Sequence, residues 1–304
     1  ILFSEQPAIV IQVSDLEHTK KVLKSAGLNT YLLGSPIPTR ELEIEGKGFN
    51  DSYLIDELRD DWYHTSYLFD IDQCGADHAE ERFDNYKNQK LKYSFPQNFT
   101  GKFSDLGVDP DRKEKTGVRA AIIREKGVNG DREMAYAMRL AGFDVKDIHM
   151  TDLIEGREDL SDVNFIVFVG GFSNSDVLGS AKGWAGAFLY NPRAKESLEK
   201  FYKRTDTLSL GVCNGCQLMM ELNLIHPQDA LHPKMAHNDS GKFESAFLSV
   251  KVGTNNSVMF NSLAGSQLGI WVAHGEGKFV FPDEGRIYNT LAKYSYDAYP
   301  ANPN

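Results

Sequence analysis

From residue 118 onwards, apolar runs alternate with amphipathic segments along the chain. The runs contain few polar residues, as expected for strands that are buried on both faces of a sheet. We predict four of these strands, at 118–123, 145–150, 165–169 and 208–212. The helices predicted between them cover 132–140, 181–190 and 194–203. This alternation predicts an α/β fold, a doubly wound and mostly parallel sheet with flanking helices.

The first 117 residues have weaker patterns. They predict strands at 8–13, 31–33 and 42–44, and helices at 15–26, 53–69 and 76–90. The segment 91–117 is polar and irregular. We therefore predict three parts: a small α/β fragment over 1–46, a helical connector over 47–117, and the α/β domain over 118–304.

Composition excludes several classes of function. The net charge of −10 opposes nonspecific binding of nucleic acid, which needs clustered positive charge. No stretch approaches the ~18 apolar residues of a membrane span. Three cysteines give no disulfide framework, so we expect a cytoplasmic protein with neither nucleic acid nor membrane as partner. The chain begins without methionine and within a pattern, which predicts a piece of a longer protein.

The end of the fourth predicted strand has the pattern of a reactive residue. Residues 211–215 read Gly-Val-Cys-Asn-Gly, and a helical pattern follows. In a nucleophile elbow the chain turns sharply from strand to helix, and glycines two residues before and after the nucleophile leave room for the turn. A thiol at a helix N-terminus also has its thiolate favoured by the peptide dipoles. We predict that Cys213 is a covalent nucleophile.

Two other interpretations of Cys213 stay open at this point. Cysteine is often a buried and inert core residue. Cys213 and Cys216 also have the Cys-x-x-Cys spacing of thioredoxin-like redox sites, although redox chemistry explains neither glycine. A zinc site would need two more ligands, and Cys74 stands alone in the sequence. We therefore predict no metal site.

A cysteine nucleophile needs a base, and the base needs a group that orients it. A predicted strand over 268–273 leads to His274, and Glu276 follows two residues later. Side chains at positions i and i+2 of extended backbone share one face. We therefore expect Glu276 to fix the imidazole tautomer of His274. The alternative is an exposed histidine and glutamate in a glycine-rich loop.

Acyl transfer also needs hydrogen-bond donors for the developing oxyanion. The backbone amide of Asn214 is one candidate, because this residue directly follows Cys213. Gly171 or Phe172, in the loop after the third predicted strand, offers another. These residues follow the carboxyl ends of strands, where ligands of doubly wound sheets bind.

Together these segments resemble a known family. Residues 211–217 are similar to the cysteine elbow of class I glutamine amidotransferases, and 274–276 to their His-x-Glu motif. Further segments resemble the C-terminal region of the large, single-chain phosphoribosylformylglycinamidine synthases: 124–130, 170–173, 176–179 and 238–244. The similarity covers most of 118–304 and implies the class I glutaminase fold.

The resemblance implies a specific chemistry. Cys213 attacks the side-chain amide of L-glutamine and forms a γ-glutamyl thioester. His274 protonates the departing ammonia and then activates water, while Glu276 orients His274. The ammonia passes to a synthetase domain of the same chain, which uses ATP and Mg²⁺ to convert formylglycinamide ribonucleotide to formylglycinamidine ribonucleotide in purine biosynthesis. No cofactor is expected in this chain itself.

The resemblance also assigns the flanking parts and the substrate contacts. Residues 1–46 correspond to the tail of the preceding synthetase domain, and 118–304 to a glutaminase domain that is truncated at its C-terminus. The residues implied to bind substrate are Gln217, Ser173, Asn238, Ser240, Phe243 and Glu244. The chain departs from the family pattern at Lys242 and Ala246, where arginine is common, and at 174–175, where Asn-Ser replaces Tyr-Gly.

Two alternative functions are considered beside this one. The first is a cysteine hydrolase of the same fold that acts on another substrate. The second is a non-catalytic docking module. An intact set of Cys213, His274 and Glu276 favours an enzyme over the docking module.

Overall fold

A computed structural model describes residues 5–88, 92–107, 109–283 and 288–301. The helices of these residues are Leu16–Ser25 (α1), Ile55–Cys74 (α2), Ala76–Asn88 (α3), Asp131–Leu140 (α4), Met150–Glu155 (α5), Lys182–Leu189 (α6), Pro192–Lys203 (α7) and Asn214–Glu221 (α8). Their strands are Glu41–Gly46 (β1), Phe49–Leu54 (β2), Arg119–Arg124 (β3), Asp144–His149 (β4), Phe165–Phe168 (β5), Leu208–Gly211 (β6), Lys234–Ala236 (β7), Glu244–Val252 (β8), Gln267–His274 (β9), Lys278–Val280 (β10) and Ala292–Tyr294 (β11). The chain forms two compact units, 1–66 and 67–304.

The first unit contains α1, the β1–β2 hairpin and the start of α2. Asp15 caps α1, because its side chain accepts a hydrogen bond from the backbone N–H of His18. The predicted helix at 15–26 and the strand at 42–44 are therefore confirmed. The predicted strands at 8–13 and 31–33 are wrong. Both segments are exposed and pair with no other strand of the described residues, and an apolar run forms a strand only where it has a partner.

The second unit contains the predicted parallel sheet. Strands β3 to β6 run parallel in the order β4-β3-β5-β6. Alternate residues of β3 face opposite sides: Ala121 and Ile123 join a core cluster with Trp184. Ala120 and Ile122 join a second cluster on the other face. Packing on both faces confirms the predicted doubly wound α/β fold.

Two smaller antiparallel pairings complete this unit. Strands β11, β8 and β9 form one sheet in that order, and β7 pairs with β10. The strand predicted at 268–273 is β9, which pairs with β8 so that His274 lies opposite Glu244. The predicted helices at 53–69 and 76–90 correspond to α2 and α3, with residues 89 and 90 outside the described residues. Among the helices described, none has the length and apolar character to cross a membrane.

Candidate active site

The turn from β6 to α8 is a sharp elbow centred on Cys213. This residue has φ 52° and ψ −113°, a backbone conformation that is costly for any residue with a Cβ atom. Such strain persists only where the surrounding structure holds it, and it occurs often at active sites. Cys213 is exposed. The interpretation of Cys213 as a buried core residue is therefore wrong.

The two glycines of the elbow are required by close backbone contacts. A Cβ atom on Gly211 would lie 2.6 Å from the carbonyl oxygen of Gly215. A Cβ atom on Gly215 would lie 2.0 Å from the carbonyl oxygen of Phe168 in β5. Neither oxygen is at the end of a flexible side chain, so neither can move away. The glycine spacing in the sequence thus reflects the packing of α8 against β5 and β6.

The two cysteines of the Cys-x-x-Cys pair have different environments. Burial raises the pKa of Cys216 to about 11, and neighbouring Cys213 adds to this effect. Cys216 is thus a poor nucleophile or redox partner at neutral pH. In the described residues, no group of three or more histidine, cysteine, aspartate or glutamate side chains is placed to hold a metal ion.

Cys213 lies beside the end of β9. Its Sγ atom is 3.8 Å from the carbonyl oxygen of Ala273, to which the thiol donates. Ala273 directly precedes His274. The elbow at the end of β6 therefore lies beside the end of β9, which carries His274, and the pairing of the thiol with the imidazole stays a prediction.

His274 is oriented by Asn238. Its Nδ1 atom lies 2.8 Å from the Oδ1 atom of Asn238. The amide nitrogen of Asn238 donates to the carbonyl oxygens of Lys242 and His274, which fixes the identity of the two amide atoms. Because Oδ1 can only accept, Nδ1 of His274 carries the proton. The Nε2 atom then has the lone pair that a general base needs.

The carboxylate of Glu276 does not contact His274 in this structure, in contrast to the prediction. Its Oε1 atom instead lies 3.9 Å from the Nδ1 atom of His237. The physical reason is the backbone: β9 ends at His274, and residues 275–276 form a bend. The alternation of side chains along extended backbone therefore stops before Glu276.

One of the three predicted oxyanion donors is already used. The backbone N–H of Phe172 donates to the carbonyl oxygen of Gly127 at 3.0 Å, so the prediction for Phe172 is wrong. Within the described residues, the backbone amides of Gly171 and Asn214 donate to no acceptor. These two N–H groups remain the candidates for an oxyanion hole.

The side chain of Asn214 connects the two loops that carry these amides. It is fully buried, and its Oδ1 atom accepts a hydrogen bond of 3.1 Å from the backbone N–H of Ser173. Its Nδ2 atom donates to Gln217 at 2.9 Å and to Asp176 at 3.2 Å. This residue therefore holds the glycine loop after β5 against the elbow, a role that the sequence analysis missed.

Three residues predicted to bind substrate are instead engaged within the protein. The Gln217 side chain donates to the backbone oxygen of Glu276 at 2.8 Å and accepts from Asn214. Asn238 is buried and holds the segment that carries His274. Glu244 is buried and bonded to Arg82 and Tyr299. Their contact with substrate stays a prediction, and the structure adds a positioning contact for each of them.

The other predicted substrate residues have different environments. Phe243 is half exposed, and its ring centroid is 6.3 Å from that of Phe172. Ser240 is buried. Ser173 lines a cavity of about 490 Å³, and its Oγ atom has no partner among the described residues. Cys213 does not line that cavity.

Opposing effects act on the pKa of His274. Burial lowers it below its ordinary value, and the carboxylate of Glu244 acts in the opposite direction. The burial effect is the larger. The imidazole is therefore neutral at pH 7, the state that can accept a proton from a thiol.

Comparison with known protein families identifies the family of this domain. Residues 117–304 match the model of the CobB/CobQ-like glutamine amidotransferase domain. The chain belongs to this family. The matched residues include the elbow, the glycine loop after β5 and the segment 274–276 of this amidotransferase domain.

Similar proteins extend the match beyond the amidotransferase domain. The whole chain is 37% identical to a protein of Arabidopsis thaliana named probable phosphoribosylformylglycinamidine synthase, chloroplastic/mitochondrial, of which it covers 23%. It is 36% identical to the phosphoribosylformylglycinamidine synthase of Drosophila melanogaster, of which it covers 24%. The chain thus spans about a quarter of the length of these curated relatives. A solved structure, PurLQS from Thermotoga maritima, is 26% identical, with a TM-score of 0.49 over 60% of this chain and 77% of that chain.

Proposed function

We propose that the amidotransferase domain of this chain hydrolyses L-glutamine through a thioester on Cys213. The strained and exposed elbow of Cys213, placed beside the strand end that carries His274, is the observation that supports this most directly. A redox role gains no support, because Cys216 is buried with a raised pKa.

The first half of the reaction forms the thioester. The Nε2 atom of His274 accepts the thiol proton, and Sγ of Cys213 attacks the carbonyl carbon of the glutamine side chain. The oxyanion accepts hydrogen bonds from the amides of Gly171 and Asn214, which have no other acceptor in the described residues. The carbon–nitrogen bond then breaks, and the imidazolium gives its proton to the departing ammonia.

The second half releases glutamate. His274, neutral again, takes a proton from water, and the hydroxide attacks the thioester carbon. The carbon–sulfur bond breaks, and the thiolate of Cys213 recovers a proton from the imidazolium. Asn238 holds the imidazole in one tautomer throughout. Glu276 is kept as a proposed member of the site on its His-x-Glu motif, and Ser173, Ser240 and Phe243 as substrate contacts.

The ammonia has a further destination in this proposal. Both curated relatives are named phosphoribosylformylglycinamidine synthases, and the chain matches about a quarter of each. In the whole protein, a synthetase domain of the same chain would use ATP and Mg²⁺ to add the ammonia to formylglycinamide ribonucleotide. A cytoplasmic location stays a prediction, because the name of the plant relative assigns that protein to chloroplasts or mitochondria.

Covalent labelling tests the proposal directly. The chain is treated with a glutamine-mimicking diazoketone, and the labelled peptide is identified by mass spectrometry. We expect an adduct on Cys213 that free glutamine suppresses and that Cys213→Ala abolishes, while Cys216→Ala keeps it. An adduct that glutamine does not suppress would favour a cysteine hydrolase of other specificity. No adduct on Cys213 would favour a docking module.

A further inference from the structure

Glu244 is a buried carboxylate without a role in the reaction described above. Only 1% of its surface is exposed. One of its oxygens, Oε2, bonds to the guanidinium of Arg82, and the other, Oε1, accepts from the hydroxyl of Tyr299. Both oxygens are thus occupied, so the carboxylate is not free to bind a substrate.

Arg82 brings a second element to this carboxylate. It lies on α3, and its guanidinium also faces Asp70 of α2, at 3.5 Å. Asp70 in turn bonds to Lys242, two residues before Glu244. The guanidinium carbon lies 4.8 Å from the ring centroid of Tyr299. The end of α2, α3 and the start of β8 therefore share one charged network.

Glu244 is also the cross-strand neighbour of His274. The two residues are paired in the register of β8 and β9. Directly opposed residues of an antiparallel pair place their side chains on the same face, with Cβ atoms about 5 Å apart. The carboxylate correspondingly favours the protonated imidazole, against the effect of burial.

Stability alone does not account for such a group. Burying a carboxylate and a guanidinium carries a large desolvation cost, and apolar residues of similar volume are often as stabilising. The carboxylate of Glu244 and the guanidinium of Arg82 can instead set the protonation of the proposed base, His274. Glu244 favours the imidazolium, and Arg82 offsets part of that charge.

We propose that Glu244 is a positioning residue that sets the charge of His274, and that Arg82 links α2 and α3 to it. This proposal rests on the proposed function in one respect, the role of His274 as the base. Its consequence is that the placement of α3 controls the protonation of the base. Helix α3, which precedes the amidotransferase domain in the chain, would then reach the proposed base through the Arg82–Glu244 ion pair.

Other charged or titratable groups around this pair must stay constant in a test. Cys213 faces the end of β9 from the elbow, and His237 and Glu276 face each other in the adjoining segments. Asp70 and Lys242 contact each other on the far side of Arg82. His78 stacks on the ring of Tyr299 at 4.9 Å. None of them is changed in Glu244→Gln or in the Arg82 variants, whose midpoints are compared in one common background.

The experiment measures the titration of His274 itself. The 304-residue chain is labelled at its histidines, the His274 ring signal is assigned from its loss in His274→Gln, and its midpoint is followed by NMR. Removing the negative charge, in Glu244→Gln, should lower the midpoint. Removing the positive charge, in Arg82→Gln, should raise it. If the ion pair were only structural, breaking it from either side should move the His274 midpoint in the same direction. Midpoint shifts of opposite sign in Glu244→Gln and Arg82→Gln therefore indicate an effect of charge.

Matched variants keep the test decisive. Arg82→Lys retains the positive charge and should keep the wild-type midpoint. If Glu244→Gln does not fold, the difference between Arg82→Lys and Arg82→Gln still measures the effect of that charge on His274. Arg119→Gln removes a more exposed ion pair with Asp162 and should leave the midpoint unchanged. Midpoints of Glu244→Gln and Arg82→Gln that stay unchanged or move in the same direction would overturn the inference. The titration needs no glutamine and can be repeated in Cys213→Ala, so failure of glutamine hydrolysis would leave its result intact.

Discussion

The imidazole of His274 and the side-chain amide of Asn238 are joined by a contact of 2.8 Å between Nδ1 and Oδ1. Asn238 is held on its other side by two backbone oxygens, so the amide cannot turn without losing them. An asparagine that fixes the tautomer of a histidine beside a cysteine is an arrangement known from other cysteine enzymes. The contact gives Asn238 a role in orientation that its sequence position did not predict.

Asn238→Ala should lower the turnover of glutamine about 100-fold or more, because the imidazole loses the acceptor that keeps Nε2 unprotonated. Ammonia release by the whole protein measures the effect, and circular dichroism checks that the fold is retained. Asp239→Ala is the matched control, since Asp239 is exposed and pairs with Lys278 away from the imidazole. Equal turnover in Asn238→Ala and Asp239→Ala would remove Asn238 from the site.

Glu276→Gln tests the remaining member of the predicted set. We expect a loss of turnover of at least about 10-fold, because the His-x-Glu motif assigns Glu276 to the proposed site, where its carboxylate would approach the imidazolium during the reaction and stabilise it. His237→Gln should have little effect, although it removes the partner that Glu276 has in this structure. If Glu276→Gln turned over glutamine like the wild type, Asn238 alone would orient the base.

The acid side of the pH profile should reflect the buried imidazole. Burial lowers the pKa of His274 from its ordinary value of 6.5, so the ring stays neutral below that pH. As pH falls through the lowered pKa, the ring becomes charged and can no longer accept the thiol proton. The midpoint of the decline in kcat/KM for glutamine should therefore lie below pH 6.5. A decline centred at or above that pH would contradict the burial argument.

Gly215→Ala should destabilise the domain by about 1–3 kcal/mol, because the added methyl group meets a backbone oxygen of β5. Gly186→Ala is its control within the same domain. Gly186 lies inside α6, and a Cβ atom there would be 3.7 Å from the ring of Tyr190, an ordinary contact. This change should leave stability equal or raise it by up to about 1 kcal/mol. Urea unfolding of both variants compares them, and equal midpoints would argue against a tight elbow.

Ser175→Gly should stabilise the domain by about 1 kcal/mol. Ser175 has φ 57°, a left-handed conformation that costs a residue with a Cβ atom about 1–2 kcal/mol. Part of that gain is lost again to the greater freedom of glycine in the unfolded chain. Ser175→Ala should bring no such gain, because it keeps the Cβ atom. Urea unfolding of the two variants gives the difference, and a less stable glycine variant would be inconsistent with strain at this position.

Short patterns in the sequence were enough to indicate the strands of the parallel sheet, the elbow at Cys213 and the family. Four largely apolar runs indicated the strands of the parallel sheet, most clearly β3 and β5, which are buried along almost their whole length because both faces are covered. The glycines around Cys213 determined the elbow, because only glycine fits where α8 approaches β5 so closely. Motif spacing was also enough to indicate the amidotransferase family, which the match over 117–304 shows.

The partners of the site residues were decided by tertiary structure. Local alternation predicted Glu276 beside His274, but β9 ends at His274 and the following bend turns the carboxylate elsewhere. Asn238 bonds to His274 through its side chain, and Glu244 is its neighbour across β8 and β9; both belong to segments far earlier in the chain, and no local pattern encodes these pairings. Periodicity reports which face of an element is buried. It carries no information on which distant element packs there, because that choice depends on the register and packing of the whole domain.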